Sequence, residues 1–391
     1  MKKIFFLMAI AALLLSCSEN SSLDPEQPST PDPTPDYNTP TGHNTEPYFS
    51  ETVELMGLIF RLAGASEYCE CQVPIVAYSA DNYFASMKDH RAVTLAKQYR
   101  NYGISHDAVT GYANQLIFND QGRIIFDPDY TEGSNSSFDR WLNLEKLSML
   151  TEVNSFYTES NFHAWFEYIK PEREAAIAAF KEKCSMDYEW LDSFYGEVEN
   201  ISSRIILSFM IGLHNNGISF VRKNGTFQLT PVFGSFRQTD AGIIFGGDIS
   251  LLAHEFSHPY CNPLIDANWD AIQAKATEVY NMVSDLMTTG GQAYGHPKTM
   301  MYETLVRACQ TRYTMSHGYE HLEDHLISYH ENRGFIMVKT IANALERYEQ
   351  ESDKYETLSD FMPEIIKAVN EFDPDKVETA EPDTLPKEYV D

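Results

Sequence analysis

The stretch that decides the reading is Gly242-Ile243-Ile244-Phe245-Gly246-Gly247-Asp248-Ile249-Ser250-Leu251-Leu252-Ala253-His254-Glu255-Phe256-Ser257-His258. Its first part is a short apolar run ended by a glycine pair, which predicts a buried strand. Asp248 is a good helix N-cap, and Ile249, Leu252, Ala253 and Phe256 recur at helical spacing. The stretch therefore predicts a strand that hands over to a helix. On that helix the imidazoles of His254 and His258, four residues apart, lie one above the other and can share one metal ion, with Glu255 beside them. The apolar stripe centres opposite the two histidines, so one face packs and the other binds. An ordinary helix with two hydrogen-bonded histidines and a surface glutamate is the bland alternative.

Two histidines need a third protein ligand that leaves one position open for water. Glu278 and Glu303 compete, 20 and 45 residues after His258. Glu303 is the favoured one, because Met300, Met301, Leu305, Val306 and Cys309 surround it and a carboxylate in apolar surroundings needs a counter-charge. Arg307 or a metal can supply it. Glu278, among Lys275, Thr277 and Asn281, reads as solvated. The segment 316–321 offers His317, Tyr319 and His321 as candidate donors to a developing oxyanion. His90 and His106 read as structural or substrate-side. Pro259 lacks a helical N–H, so the helix is expected to end or kink there, with Tyr260 and Cys261 at the cleft rim.

Outward from this point the patterning predicts an α+β fold, mainly helical, with a small mixed or antiparallel sheet preceding the metal-binding helix. Helical periods dominate 48–200, as in 52–63, 92–102 and 172–183, and 201–213 also reads as helix. Asn216-Gly217 and Asn224-Gly225 are hairpin turns around strands at 218–221 and 226–229, with further strands at 232–236 and 242–245. Residues 201–372 form the expected catalytic part, and helices resume from 269 to 361. The acidic stretch 373–391 is expected to be loose.

Met1-Lys2-Lys3 and the apolar run 4–15 form a secretory signal, too short for a retained membrane span. Leu14-Leu15-Ser16-Cys17 resembles a bacterial lipobox, which implies removal of residues 1–16 and lipidation of Cys17. Ser18 after the cysteine implies the outer membrane of a Gram-negative envelope. Residues 17–47 are rich in Ser, Pro, Thr and Asp and read as an extended tether, with the ordered part starting near Glu46. The chain carries a net charge of −28, which excludes nucleic acid as a partner and identifies no substrate. Five cysteines remain beyond Cys17, an odd number, and Cys69-Glu70-Cys71 is too tight for an easy mutual disulfide. Buried thiols are the expected state of that pair.

His254 to His258 with Asn262-Pro263-Leu264, and Glu303-Thr304-Leu305-Val306-Arg307-Ala308, resemble an uncharacterised family of Bacteroidota lipoproteins. That family is a domain of unknown function similar to gluzincin metallopeptidases. Residues 102–109 and 233–247 extend the resemblance. It implies one zinc ion, Glu303 as third ligand, and no particular substrate. The reading is a membrane-anchored zinc metallopeptidase acting on peptide or protein, with Glu255 as general base. A non-catalytic binding lipoprotein on the same scaffold and a hydrolase of a non-peptide amide are the alternatives.

Overall fold

The computed structural model describes residues 42–43, 46–196, 200–289 and 294–377. The expected signal, Cys17, most of the tether and most of the acidic tail lie outside the described residues. Helix makes up 60% of the structure beside small mixed sheets, so the fold is α+β and mainly helical. Among the described residues no helix is long and apolar enough to cross a membrane.

Among the described residues, nine α-helices lie between residues 51 and 195: α1 (Glu51–Leu62), α2 (Pro74–Tyr83), α3 (Arg91–Arg100), α4 (Asp107–Ala113), α5 (Ser136–Asp139), α6 (Asn143–Glu159), α7 (Phe162–Tyr168), α8 (Lys170–Lys183) and α9 (Tyr188–Tyr195). The first is central. Ser50 caps it, and Val53, Leu55, Met56, Leu58, Ile59 and Phe60 are all buried, so it is apolar nearly all round as a core helix should be. Glu54, on the same helix and fully buried, accepts the N–H groups of Phe209 and Met210 at 2.6 and 3.0 Å. It thereby satisfies two backbone donors where a strand ends against the helix.

The strands are β1 (Gly42–His43), β2 (Tyr48–Phe49), β3 (Leu116–Phe118), β4 (Ile124–Phe126), β5 (Ile201–Ser203), β6 (Ile206–Leu207), β7 (Asn215–Asn216), β8 (Ser219–Val221), β9 (Phe227–Leu229), β10 (Val232–Phe233), β11 (Phe236–Thr239) and β12 (Gly242–Phe245). β3 pairs with β4, and β11 with β12, as hairpins. The other eight form two four-stranded sheets, β1-β5-β9-β8 and β2-β6-β10-β7. Both are drawn from the same four chain segments in the same order, so they are one sheet interrupted midway. Three segments run parallel, and the fourth, 215–221, lies antiparallel at the edge.

Two expectations are corrected here. Residues 201–213 are not helical: β5 and β6 occupy their first half, buried on both faces between parallel neighbours. Strands covered on both faces show no period-two alternation, and Ser202, Ser203 and Arg204 are buried along with the apolar residues, so the segment lacks the signal that separates strand from helix over a short window. The structure also places β1 at Gly42–His43, inside the span read as tether and in register with Ser202 and Ser203.

The C-terminal half holds α10 (Ile249–Met287), α11 (Pro297–Ser316), α12 (Glu323–Glu331), α13 (Val338–Gln350) and α14 (Leu358–Asn370). The expected break at Pro259 does not occur: α10 runs unbroken for 39 residues through Pro259 and Pro263. Leu252, Phe256, Cys261, Ile265, Ile272, Ala276, Val279, Val283 and Met287 are buried on both sides of the two prolines. That continuous burial outweighs the local loss of hydrogen bonds. Cys261 is accordingly interior and fully buried, and Tyr260 is half-buried, its ring stacked on Tyr195 at 4.3 Å. Cys69, read as a buried thiol, is exposed, and Cys71 is half-buried.

Candidate metal centre

Two successive helices supply the three candidate ligands. The Asp248 side chain accepts the N–H groups of Ser250 and Leu251 at 2.8 and 3.2 Å, which fixes where α10 starts. That phase turns His254 and His258 to one side, with their Nε2 atoms 3.2 Å apart. From α11, Glu303 places Oε2 3.6 Å from His254 Nε2 and Oε1 3.6 Å from His258 Nε2. All three ligand atoms lie within 4.8 Å of one another. Around a tetrahedral zinc with bonds of about 2.1 Å, ligand atoms sit roughly 3.4 Å apart, so the three residues fit such an ion and leave a fourth vertex. Two imidazoles and a carboxylate are also a donor set suited to zinc.

The protonation states agree with that fit. Burial holds His254 well below the ordinary histidine range, although Glu303 opposes it, so the imidazole is neutral. Burial pushes Glu303 upward, but His258, Arg307 and His254 outweigh it and hold the carboxyl below its ordinary value. Arg307 Nη2 donates to Glu303 Oε2 at 3.0 Å. The guanidinium lies 4.3 Å over the Phe335 ring, with Nη1 3.4 Å from Nδ1 of the buried His330. Burial, then Glu303, pushes the Glu255 carboxyl up to about 8, against Arg307 and a hydrogen bond donated by the N–H of Gly217.

A chain of hydrogen bonds sets the tautomer of His254. The Asp248 carboxylate only accepts, so Ser250 Oγ donates to it at 2.7 Å. Ser250 therefore accepts from Gln310 Nε2 at 3.3 Å, which turns Gln310 Oε1 toward His254 Nδ1 at 3.2 Å. His254 must then donate from Nδ1, leaving its Nε2 lone pair facing Glu303 and His258. Asn262 Oδ1, 3.4 Å from His258 Nδ1, is the corresponding partner of the second imidazole. Glu303, Arg307 and Gln310 stand at i, i+4 and i+7 on α11, one face of the helix.

The edge segment 215–221 closes over the start of α10. A Cβ on Gly217 would lie 2.5 Å from the Glu255 carbonyl oxygen and 3.1 Å from His258 Cβ. Only glycine permits that approach. The carbonyl it meets is the one that Pro259, four residues on, leaves without its helical donor.

Of the other sequence candidates, Glu278 lies exposed on α10, its carboxylate 2.9 Å from Lys275 Nζ. It takes no part in the cluster. His317, Tyr319 and His321 are not brought to the ligands: His317 is 3.2 Å from Asp187 and stacks on Tyr313, Tyr319 packs on a satellite cluster of Met315, Leu322 and Leu326, and His321 is exposed. The end of α11 carries them past the site. His90 caps α3 by accepting the Ala92 N–H, and His106 packs on His214 with ring centroids 4.9 Å apart.

Sequence reasoning missed Gln310, Ser250, Gly217 and Tyr294. Tyr294 is half-buried, with its phenol near Arg307 and close enough to Glu303 and Glu255 to feel both charges; burial first, then Glu303, raises it, so it stays protonated. Its backbone is fixed by Tyr294 N–H to Met287 O at 3.0 Å and Tyr280 Oη to Tyr294 O at 3.1 Å. The spacing of Gln310 from Glu303 was a usable signal. Tyr294 sits between helices and had none.

A family model described as Domain of unknown function (DUF4932) matches residues 137–368, a span that includes α10 and α11. No curated protein and no solved structure matches the chain.

Proposed function

We propose that this chain, which belongs to the family described as Domain of unknown function (DUF4932), is a zinc-dependent hydrolase of peptide bonds, anchored to the cell envelope through Cys17. The observation that carries the reading is the convergence of His254, His258 and Glu303 within 4.8 Å, with Glu255 buried beside them. Zinc bound there would supply Lewis acidity to a water and to the scissile carbonyl. Glu255 takes up the proton of the attacking water and passes it to the leaving amine. Tyr294 donates a hydrogen bond to the oxyanion as it develops, and Arg307 keeps Glu303 ionised and in place. The backbone of 215–217, lying against Glu255, supports an extended peptide as substrate, because main-chain groups at a sheet edge pair with another strand.

The test uses three glutamine variants of the chain, with bound zinc and hydrolysis of a mixed peptide library as readouts. Glu255→Gln keeps zinc and loses turnover by several orders of magnitude; Glu303→Gln loses zinc affinity and turnover together; Glu278→Gln changes neither. Absence of any transition metal from metal-replete wild type sinks the enzyme reading. Zinc without peptide hydrolysis turns the assignment to a binding lipoprotein or to a hydrolase of a non-peptide amide.

A further inference from the structure

The two helices that hold the ligands also bring two thiols together. Cys261 on α10 and Cys309 on α11 place their Sγ atoms 3.7 Å apart, and both side chains are fully buried. The hydroxyl of Tyr195 lies beside them and donates to Ser257 Oγ at 2.7 Å. The remaining thiols are placed otherwise: Cys69 and Cys71 turn to the carbonyl oxygens of Arg61 and Val73, and Cys184 sits at the end of α8.

We infer that Cys261 and Cys309 form a disulfide when the chain folds in an oxidising compartment, tying α10 to α11 across the loop 262–308. Sulfur atoms 3.7 Å apart need about 1.7 Å of approach to reach bonding distance. In the reaction the two thiols lose two protons and two electrons as one S–S bond forms. The acceptor is a disulfide, either glutathione disulfide or an oxidised dithiol oxidoreductase, whose own S–S bond breaks to give two thiols. Burial shields both thiols once the helices have closed, so exchange takes place during folding.

The position of the tie gives it a consequence. Cys261 lies three residues past His258, and Cys309 is next to Gln310. A covalent link there fixes the separation of the helices within a turn of His258 and two turns of Glu303, and it narrows the unfolded ensemble by closing a long loop. The inference rests on the exported location proposed above and not on the metal.

The experiment is therefore run without either. The full chain is reduced in denaturant, refolded in a mixture of reduced and oxidised glutathione, trapped with N-ethylmaleimide and digested with trypsin. Cys261 falls in the peptide 238–275 and Cys309 in the peptide 308–312, each with no other cysteine. The expected product is these two peptides joined, and the oxidised protein is expected to melt roughly 5–10 °C above its reduced form. Recovery of both peptides alkylated, or of Cys261 joined to Cys69, Cys71 or Cys184, overturns the inference. The wild-type chain carries the test, so no variant has to fold.

Discussion

Replacing Gln310 by leucine removes the acceptor for His254 Nδ1 and leaves the shape of the side chain almost unchanged. Two hydrogen bonds go, one of 3.2 Å to His254 and one of 3.3 Å to Ser250, and the buried imidazole N–H is left without a partner. An orphaned buried donor costs about 1–3 kcal/mol of folding stability. Metal affinity falls separately, because nothing then selects the tautomer that presents Nε2. Loss of such a supporting partner lowers affinity about 10–100-fold, or about 1.4–2.7 kcal/mol. Zinc affinity is measured by competition with a chromophoric chelator at pH 7, with a thermal melt on the same samples. Asn262→Leu is the comparison, and its longer contact of 3.4 Å to the half-buried His258 predicts a smaller effect. A folded Gln310→Leu protein that binds zinc within threefold of wild type would refute the argument that the Asp248-Ser250-Gln310 chain sets the ligand.

Gly217→Val drives a side chain into the Glu255 carbonyl and His258, so it is expected to lower stability by about 1–3 kcal/mol and to reduce turnover, read by denaturant melts and a peptide assay. Burial raises Glu54 to about 7, so its contribution is present below the unfolded value near 4.5 and is lost as pH rises through 7, on the order of 3 kcal/mol. The stability difference between wild type and Glu54→Gln should therefore shift against wild type across that window, and a pH-independent difference rejects the assignment. Met301→Ala opens a cavity under α11 and should cost about 2–5 kcal/mol in chemical denaturation. Cys17→Ser should release the protein from the membrane fraction, which cell fractionation checks.

The candidate site was legible where its chemistry is local. Asp248 as cap and the histidines one turn apart follow from helix geometry alone, and Glu303 stood out because an apolar helix isolates its charge beside Arg307. The fold was less legible where burial overrides local preference. Ile201 to Leu207 carry no alternation because both faces are covered, and Pro259 fails to end α10 because buried residues pack on either side of it, Leu252 and Phe256 before and Cys261 to Met287 after. Tyr294 and Gly217 come to the site through tertiary packing. No spacing in the sequence announces either.

The division between α10 with α11 and the edge segment 215–221 has a consequence for how such a protein changes over generations. The donors, the hydrogen bonds that orient them and the counter-ion of Glu303 are encoded in one uninterrupted stretch, 248–310, and are inherited together. The strand that lies across Glu255 is encoded separately, in a turn-rich segment held to its sheet by backbone pairing and by the Asn215 side chain, which bonds Gly234 and Ser235. Substitutions at Ser219 can remodel the surface that meets an incoming chain while the reactive group keeps its geometry. At Gly217 the two inheritances are locked to each other.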